Sequence, residues 1–518
     1  MTSIGNIVAI SVLSLASTAR GQQSCERLAS LKLPSITITS AISLAAGRFT
    51  LPGGRGNNTV QVPAFCRVAA TIEKEVRIEL WMPEAWNHKV VSVGNGGLAG
   101  SVSYAAMVKP LSLGYAASST DTGHQASSTT DGEWALGHYD RIVNFADRAT
   151  HLMAEADKVI LDRYYGAQPA HAYFTGCSQG GHEAMIEAQR YPNDFDGIVA
   201  GDPANNWTHH YIGGHLWTAL AVDGDGYLPP EKVQILADAV NVQCDALDGV
   251  KDGVLNDPRR CNFRPETLLC KGSDRSRCLT NAQVAAVEKI WSGLRTPEGQ
   301  QIYPGLVPGG EAGTGGWASY ITGTGPGTGR HALLGEPFFR YFVFDDPAWE
   351  MRSFRFVAKD GFDSDIDLTD TKLAALFNAV NPDLSQFGAR GGKLIHYHGW
   401  SDPDITPLNS INYYESVIKA QGGEAHGLAN TQTFYRLFMV PGMWHCGGGP
   451  GATTFDMLEP LNDWVEQGKA PERVIASRQE NGRVQRTRPL CPYPMEAQWK
   501  GTGSTDDAAN FVCALPKP

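Results

Sequence analysis

Short apolar runs and helix-period segments alternate over the first 205 residues. Lys89-Val90-Val91-Ser92-Val93 reads as a buried strand that stops at Gly94-Asn95-Gly96-Gly97. Gly114-Tyr115-Ala116-Ala117 leads into Ser119-Thr120-Asp121-Thr122-Gly123-His124, and residues 144–163 place apolar side chains at helical spacing. An apolar run at 170–175 precedes a helical segment at 182–190, and Phe195 to Gly201 supplies the next strand. Strand, helix, strand in this order predicts a mostly parallel sheet with crossover helices. The rhythm then breaks. From about 206 to 385 the chain holds clustered cysteines and acids, a glycine-rich stretch at 304–329 and the aromatic run Phe338-Phe339-Arg340-Tyr341-Phe342. It returns with strands at 393–398 and 434–440 and a closing helix over 456–467. The pattern predicts one α/β core, in two parts at 22–205 and 386–518, interrupted by an inserted lid at 206–385.

At the end of the 170–175 run stands Gly176-Cys177-Ser178-Gln179-Gly180, a G-x-S-x-G at a strand-to-helix junction. That context makes it a nucleophile elbow and the core an α/β-hydrolase. A serine hydroxyl needs a base to take its proton and an acid to orient that base, arriving in this fold in the order serine, acid, histidine. Ser178, Asp402 after the 393–398 strand and His445 after the 434–440 strand fit the order. Asp404, Asp202 and Asp196 are the other carboxylates open to Asp402's role. His124 precedes the serine and breaks the order, while His396 and His398 alternate along a strand and suit structural or pocket-lining roles. The N–H groups of Gln179 and Gly97 are the candidate oxyanion hole. Cys177 precedes the serine and Cys446 follows the histidine, so a bond between them would hold two distant catalytic neighbours together. Cys177 as nucleophile is the weaker reading, because Ser178 holds the apex.

Composition narrows the class. A net charge of -11 with no basic cluster argues against nucleic-acid binding. Ile7 to Ala16 is a short apolar stretch followed by Ala19-Arg20-Gly21, so residues 1–21 read as a secretory signal, too short to span a bilayer. No other run is long enough for a membrane helix. Ten cysteines, an even number, suit disulfides in an exported chain, and none forms the CxxC of a structural zinc site.

The insertion carries Cys244-Asp245-Ala246-Leu247-Asp248-Gly249-Val250-Lys251-Asp252-Gly253-Val254, closed by Cys261. Asp245, Asp248 and Asp252 with the carbonyls of Val250 and Val254 offer an all-oxygen cage suited to Ca²⁺ rather than zinc. A solvated acidic loop is the plainer alternative. No organic cofactor is indicated.

Seven segments together resemble the tannase family of feruloyl esterases, tannases and mono(2-hydroxyethyl) terephthalate hydrolase: TDTGH at 120–124, FTGCSQGG at 174–181, DFDGIVAGDP at 194–203, CDALDGVKDGV at 244–254, HGWSDPDI at 398–405, PGMWHCGGGPG at 441–451 and RTRPLCPYP at 486–494. The resemblance implies the Ser178, Asp402, His445 triad, the Cys177–Cys446 bond and calcium held in the lid by the five residues above. It also implies the pairs Cys25–Cys66, Cys244–Cys261, Cys270–Cys278 and Cys491–Cys513. The expected function is a secreted, extracellular or periplasmic, serine esterase cleaving feruloyl and related hydroxycinnamoyl esters, free or polysaccharide-linked, through an acyl-enzyme. Galloyl-ester cleavage and a terephthalate-hydrolase-like activity are the variants. A hydrolase-fold binding protein with a dead site is the reading from another class. The lid aromatics Trp317, Tyr320, Phe338, Phe339, Tyr341 and Trp349 are expected to be mostly packing, with about a third facing substrate. In the terephthalate hydrolase of this family a lid arginine grips the substrate's free carboxylate; Arg330 and Arg340 are the nearby candidates for such a residue, and neither is assigned, which leaves the feruloyl reading ahead.

Overall fold

The computed structural model describes residues 23–53, 58–358 and 363–516. The signal assigned to residues 1–21 lies outside them. Nine strands form the central sheet: β1 (Ile36–Leu44), β2 (Phe65–Ile72), β3 (Val76–Pro83), β4 (Lys89–Val93), β5 (Ala116–Thr120), β6 (His171–Cys177), β7 (Gly197–Gly201), β8 (Lys393–Gly399) and β9 (Tyr435–Val440). Their order is β1-β2-β3-β5-β4-β6-β7-β8-β9. From β5 to β9 every pairing is parallel. The β1–β2, β2–β3 and β3–β5 pairings are antiparallel. The sheet is thus an α/β-hydrolase sheet of mixed direction, more antiparallel at one edge than the strand-helix rhythm predicts. That edge is built where Glu73-Lys74-Glu75 leaves no room for a crossover, so β3 returns directly along β2.

Alternate side chains of the central strands feed two cores. Phe174, Ile198 and Leu394 pack against α2 (Ala149–Tyr165), α3 (Gln179–Arg190) and α4 (Pro407–Ala420) through Met153, Ile160, Met185, Tyr414 and Val417. Their neighbours Tyr173, Val199 and Ile395 point the other way, onto Met107 and Leu111 of α1 (Tyr104–Ser112) and Leu461 and Trp464 of α5 (Leu458–Gln467). A one-residue slip would exchange the two sets, so the double-sided core fixes register. After α5 the chain adds two hairpins, Val474–Glu480 with Arg483–Leu490 and Glu496–Trp499 with Phe511–Ala514, which the sequence reading left unassigned.

The segment between β7 and β8 folds over the carboxyl ends of the strands. Trp207, Tyr211, Phe338, Phe339, Phe342 and Trp349 share one apolar cluster with Leu98, Phe145 and Ile405 of the core loops. A second cluster joins helix Pro230–Cys244 to helix Asn281–Ser292 and takes in Trp317. Trp317, Phe338, Phe339 and Trp349 are therefore packing residues. Five disulfides tie the chain: Cys25–Cys66, Cys177–Cys446, Cys244–Cys261, Cys270–Cys278 and Cys491–Cys513, leaving no free thiol among the described residues.

Candidate active site

Strand β6 delivers Ser178 to the first position before α3. Its backbone sits at φ 65°, ψ −118°, a conformation that L residues adopt only when the surroundings enforce it. Enforcement comes from contact: a Cβ on Gly176 would stand 2.4 Å from the carbonyl oxygen of Gly180, so the turn closes only with glycine there. The amide of Gly180 donates to the Asn95 carbonyl at 2.8 Å, fastening the elbow to the loop after β4. Behind that loop Glu183 is fully enclosed and pushed up to about 8 by burial, with its Oε2 accepting the Asn95 N–H at 3.2 Å.

Gly97 occupies φ 58° with its Cα against Thr129, where a Cβ would meet the Thr129 oxygen at 2.4 Å. Gly97, Ser178 and Gln179 line one cavity with Ala204, Trp207, Tyr211, Arg330 and Asp404. That cavity measures about 20 Å³, room for one water-sized group. Trp207, Tyr211 and Arg330 of the segment between β7 and β8 form part of its wall.

Loops after β8 and β9 carry the acid and the imidazole. Nδ1 of His445 donates to Oδ2 of Asp402 at 2.8 Å. The other oxygen of Asp402 accepts the amides of Asp404 at 2.8 Å and Ile405 at 3.0 Å, which fixes the carboxylate. Among the described residues Oγ of Ser178 has no hydrogen-bond partner, and Nε2 of His445 lies 3.4 Å from Oδ2 of Asp404. Burial alone would depress the His445 imidazole, but the carboxylates of Asp402, Asp404 and Asp202 outweigh it and raise it to about 9. His398 also stands 3.3 Å from Asp402, and His396 is enclosed between Tyr435 and Ser410. His124 is buried against Trp134, away from the serine cavity's lining.

The carboxylates that sequence order left open separate by contact. Asp196 pairs with Arg390 at the opposite end of β7. Asp202 is a bracket: Oδ1 accepts the amide of Gly399 at 2.7 Å and Oδ2 that of Cys446 at 2.8 Å, joining the ends of β7, β8 and the histidine loop. Cys446 itself has φ 62° and is bonded to Cys177 across a chain separation of 269 residues. Sequence reading missed Asp202's bracing role, because a carboxylate serving backbone amides has no spacing signature. Tyr320 stands edge-on to His445 with centroids 5.7 Å apart, while Trp207 and Tyr211 line the cavity at Ser178. Arg330 lies over Tyr320 and lines the serine cavity, whereas Arg340 is held by Glu336 and the Trp349 carbonyl.

In the lid, Oδ1 of Asp245 accepts the amides of Asp252, Gly253 and Val254, and Oδ1 of Asp248 accepts that of Val250. Oδ2 of Asp252 pairs with Arg486 and Arg488. Burial, with Asp252 and Asp245 beside it, pushes Asp248 up to about 6. Among the described residues the side chains whose ligand atoms converge lie elsewhere, His210, His215 and Asp404 among them, and not at Asp245, Asp248 and Asp252.

A profile of the "Tannase and feruloyl esterase" family matches residues 58–514. The chain belongs to this family. It is 39% identical to an uncharacterized esterase of Xanthomonas campestris, over 96% of this chain and 92% of that protein. It is 33% identical to the mono(2-hydroxyethyl) terephthalate hydrolase of Piscinibacter sakaiensis, over 92% of this chain and 89% of the relative. The crystal structure of feruloyl esterase B from Aspergillus oryzae superposes with a TM-score of 0.85 at 28% identity, covering 95% of this chain and all of that one. As a member of the tannase and feruloyl esterase family the protein is a carboxylic ester hydrolase.

Proposed function

We propose that the protein is a secreted serine esterase that releases phenolic acids, hydroxycinnamates first, from their esters. The observation that carries the mechanism is the Asp402–His445 hydrogen bond of 2.8 Å on a loop disulfide-bonded to the residue before Ser178. Ser178 Oγ attacks the ester carbon while Nε2 of His445 takes its proton, and Asp402 stabilises the resulting imidazolium. Negative charge forms on the carbonyl oxygen, for which the N–H groups of Gly97 and Gln179 are the proposed donors; both residues line the cavity at Ser178, and among the described residues neither N–H has an acceptor. The imidazolium returns its proton to the departing alcohol, leaving an acyl-Ser178. Water then repeats the sequence, His445 again acting as base, and the acid is released. Binding without turnover is disfavoured because a binding scaffold has no use for a strained serine. Secretion is supported by five disulfides, which persist in oxidising compartments.

Calcium belongs to the lid loop in this reading. Oxygen donors of Asp245, Asp248 and Asp252 and the carbonyls of Val250 and Val254 fit a hard cation. The fit rests on Asp248, a half-buried carboxylate crowded by Asp252 and Asp245, which the nearby Arg488 offsets only in part, a situation that bound Ca²⁺ relieves. The ion would brace the lid beside the Cys244–Cys261 bond and take no part in proton transfer.

A second substrate reading is favoured by one residue. Arg330 presents a guanidinium to the serine cavity, suited to acyl groups that carry a free carboxylate, as in the terephthalate half-ester named for the Piscinibacter relative. Purified protein and its Ser178→Ala variant, assayed on methyl ferulate, methyl gallate, mono(2-hydroxyethyl) terephthalate and p-nitrophenyl acetate, separate these cases. Ferulate release lost in the variant supports the proposal. Cleavage of none of the four overturns it.

A further inference from the structure

Beside the serine cavity stand four side chains that take no proton and form no bond in the acyl-transfer scheme: His210, His215 and Asp404 line it, and His331 lies against Asp404. His210 and His215 come from the π-helical segment His210–Leu216, His331 from helix Arg330–Phe338 and Asp404 from the loop after β8. All four are at most 4% exposed. One ligand atom from each of His210, His215 and Asp404 lies within 4.8 Å of the other two. Nε2 of His215 stands 2.8 Å, and Nε2 of His331 3.4 Å, from Oδ1 of Asp404. Ligand atoms around a tetrahedral zinc ion are about 3.3 Å apart, given metal–ligand distances near 2.0–2.1 Å.

Proton placement makes the arrangement informative. The Thr218 hydroxyl donates to the carbonyl of Gly214 at 2.5 Å, so it has no proton left for Nδ1 of His331, 2.5 Å away. Nδ1 must therefore carry the proton and donate to Thr218, which leaves a lone pair on Nε2 facing a carboxylate oxygen. Nε2 of His331 and Nδ1 of His215 are both enclosed and without hydrogen-bond partners. Unpaired buried polar atoms are costly, and a cation held between Asp404 and Nε2 of His331 would relieve the lone pair that faces that carboxylate. Three imidazoles and one carboxylate are the ligand types that zinc and its neighbours prefer. The cavity that His210, His215 and Asp404 share with Ser178 has room for one ion.

We propose that His210, His215, His331 and Asp404 form a transition-metal site of the zinc type beside Ser178, and that its occupation blocks the acyl pocket. The opposing charges nearby are His445, whose Nε2 lies 3.4 Å from Oδ2 of Asp404, and Arg330, whose guanidinium donates to Thr129 at 3.3 Å. Two further groups among the described residues bring ligand atoms close together and do not compete: the sulfurs of Cys177 and Cys446 are bonded to each other, and Asp202, Asp402 and His445 are already hydrogen-bonded in the catalytic array.

The metal-binding arm of the test does not depend on the esterase reading. Full-length protein, dialysed against chelator and resupplied with calcium, is titrated with ZnCl₂ by calorimetry and, separately, with CoCl₂ by visible absorption. One equivalent of zinc and intense four-coordinate cobalt bands are expected, both lost in His215→Ala and in His331→Ala and retained in Ser178→Ala. Hydrolysis of p-nitrophenyl acetate should fall at least tenfold at saturating zinc and recover on chelation. Weak pale cobalt spectra of the hydrated ion, or zinc binding that survives both histidine variants, overturn the site. Should a variant fail to fold, the cobalt spectrum of the unaltered protein decides alone. Binding without inhibition sustains the site and overturns its blocking role.

Discussion

Replacing Cys177 and Cys446 together by alanine separates the positional effect of their bond from its stabilising effect. The bond closes a loop with a separation of 269 residues, for which chain entropy gives about 5–6 kcal/mol as an upper figure. The realised value is smaller, since Cys244–Cys261 and Cys270–Cys278 lie inside that loop and already shorten it. For a chain of this size the expected drop in Tm stays below about 10 °C. The catalytic consequence is larger. In the variant the histidine loop keeps the bond from the residue 446 amide to Asp202 at 2.8 Å, that from the Ser401 amide to the Met443 carbonyl at 3.0 Å and His445's own bond to Asp402, so the fold survives while the imidazole gains freedom. Displacement of a catalytic group by about 1 Å costs on the order of 100-fold in rate. Thermal unfolding followed by circular dichroism, with kcat/KM for p-nitrophenyl acetate on the same samples, reads both quantities. A folded double variant with near-normal kcat/KM would refute the reasoning, as would activity lost only in proportion to the unfolded fraction.

Acting as a base, His445 must be neutral, and Asp402, Asp404 and Asp202 face it and hold it near 9. In consequence kcat/KM should climb with pH until about 9, and Asp404→Asn should move that limb to lower pH; a midpoint near 6.5 in the unaltered enzyme would contradict this. The same shift adds stability that is complete below about 6.5 and fades as pH rises through 9, readable as a falling Tm over that window. Stripping calcium with a chelator should lower Tm and release about one equivalent of the ion, and Asp248→Asn should reproduce the loss; unchanged Tm would remove calcium from the lid. Arg330→Ala should raise KM for mono(2-hydroxyethyl) terephthalate about tenfold or more and leave methyl ferulate within about twofold, since one charge-assisted hydrogen bond of about 1.5–3 kcal/mol is lost. Equal effects on both substrates would deny Arg330 a carboxylate.

Much of this protein is written locally. The apolar runs ending at Val93, Thr175, Gly201 and His398 are buried on both faces, and a strand of that kind shows itself in four or five consecutive residues. The elbow is local too, because the glycines that let Ser178 take a left-handed backbone stand two residues either side of it. The order serine, acid, histidine narrowed the partners to Asp402 and His445, but ordering alone did not separate Asp402 from Asp404 or Asp202. That separation required knowing that Nδ1 of His445 meets Asp402 while Asp202 is consumed by two amides. The lid aromatics show the opposite limit: Phe338 and Tyr320 are alike as residue types, and only packing puts one in the core and the other against His445. Likewise, four histidine and aspartate side chains from three separate segments carry no spacing that links them. Sequence determines what each stretch of backbone prefers and which chemistry it can offer, since those depend on near neighbours. Which groups face one another across distant loops was decided by the tertiary fold, because burial, distance and shared protons exist only once the chain has closed on itself.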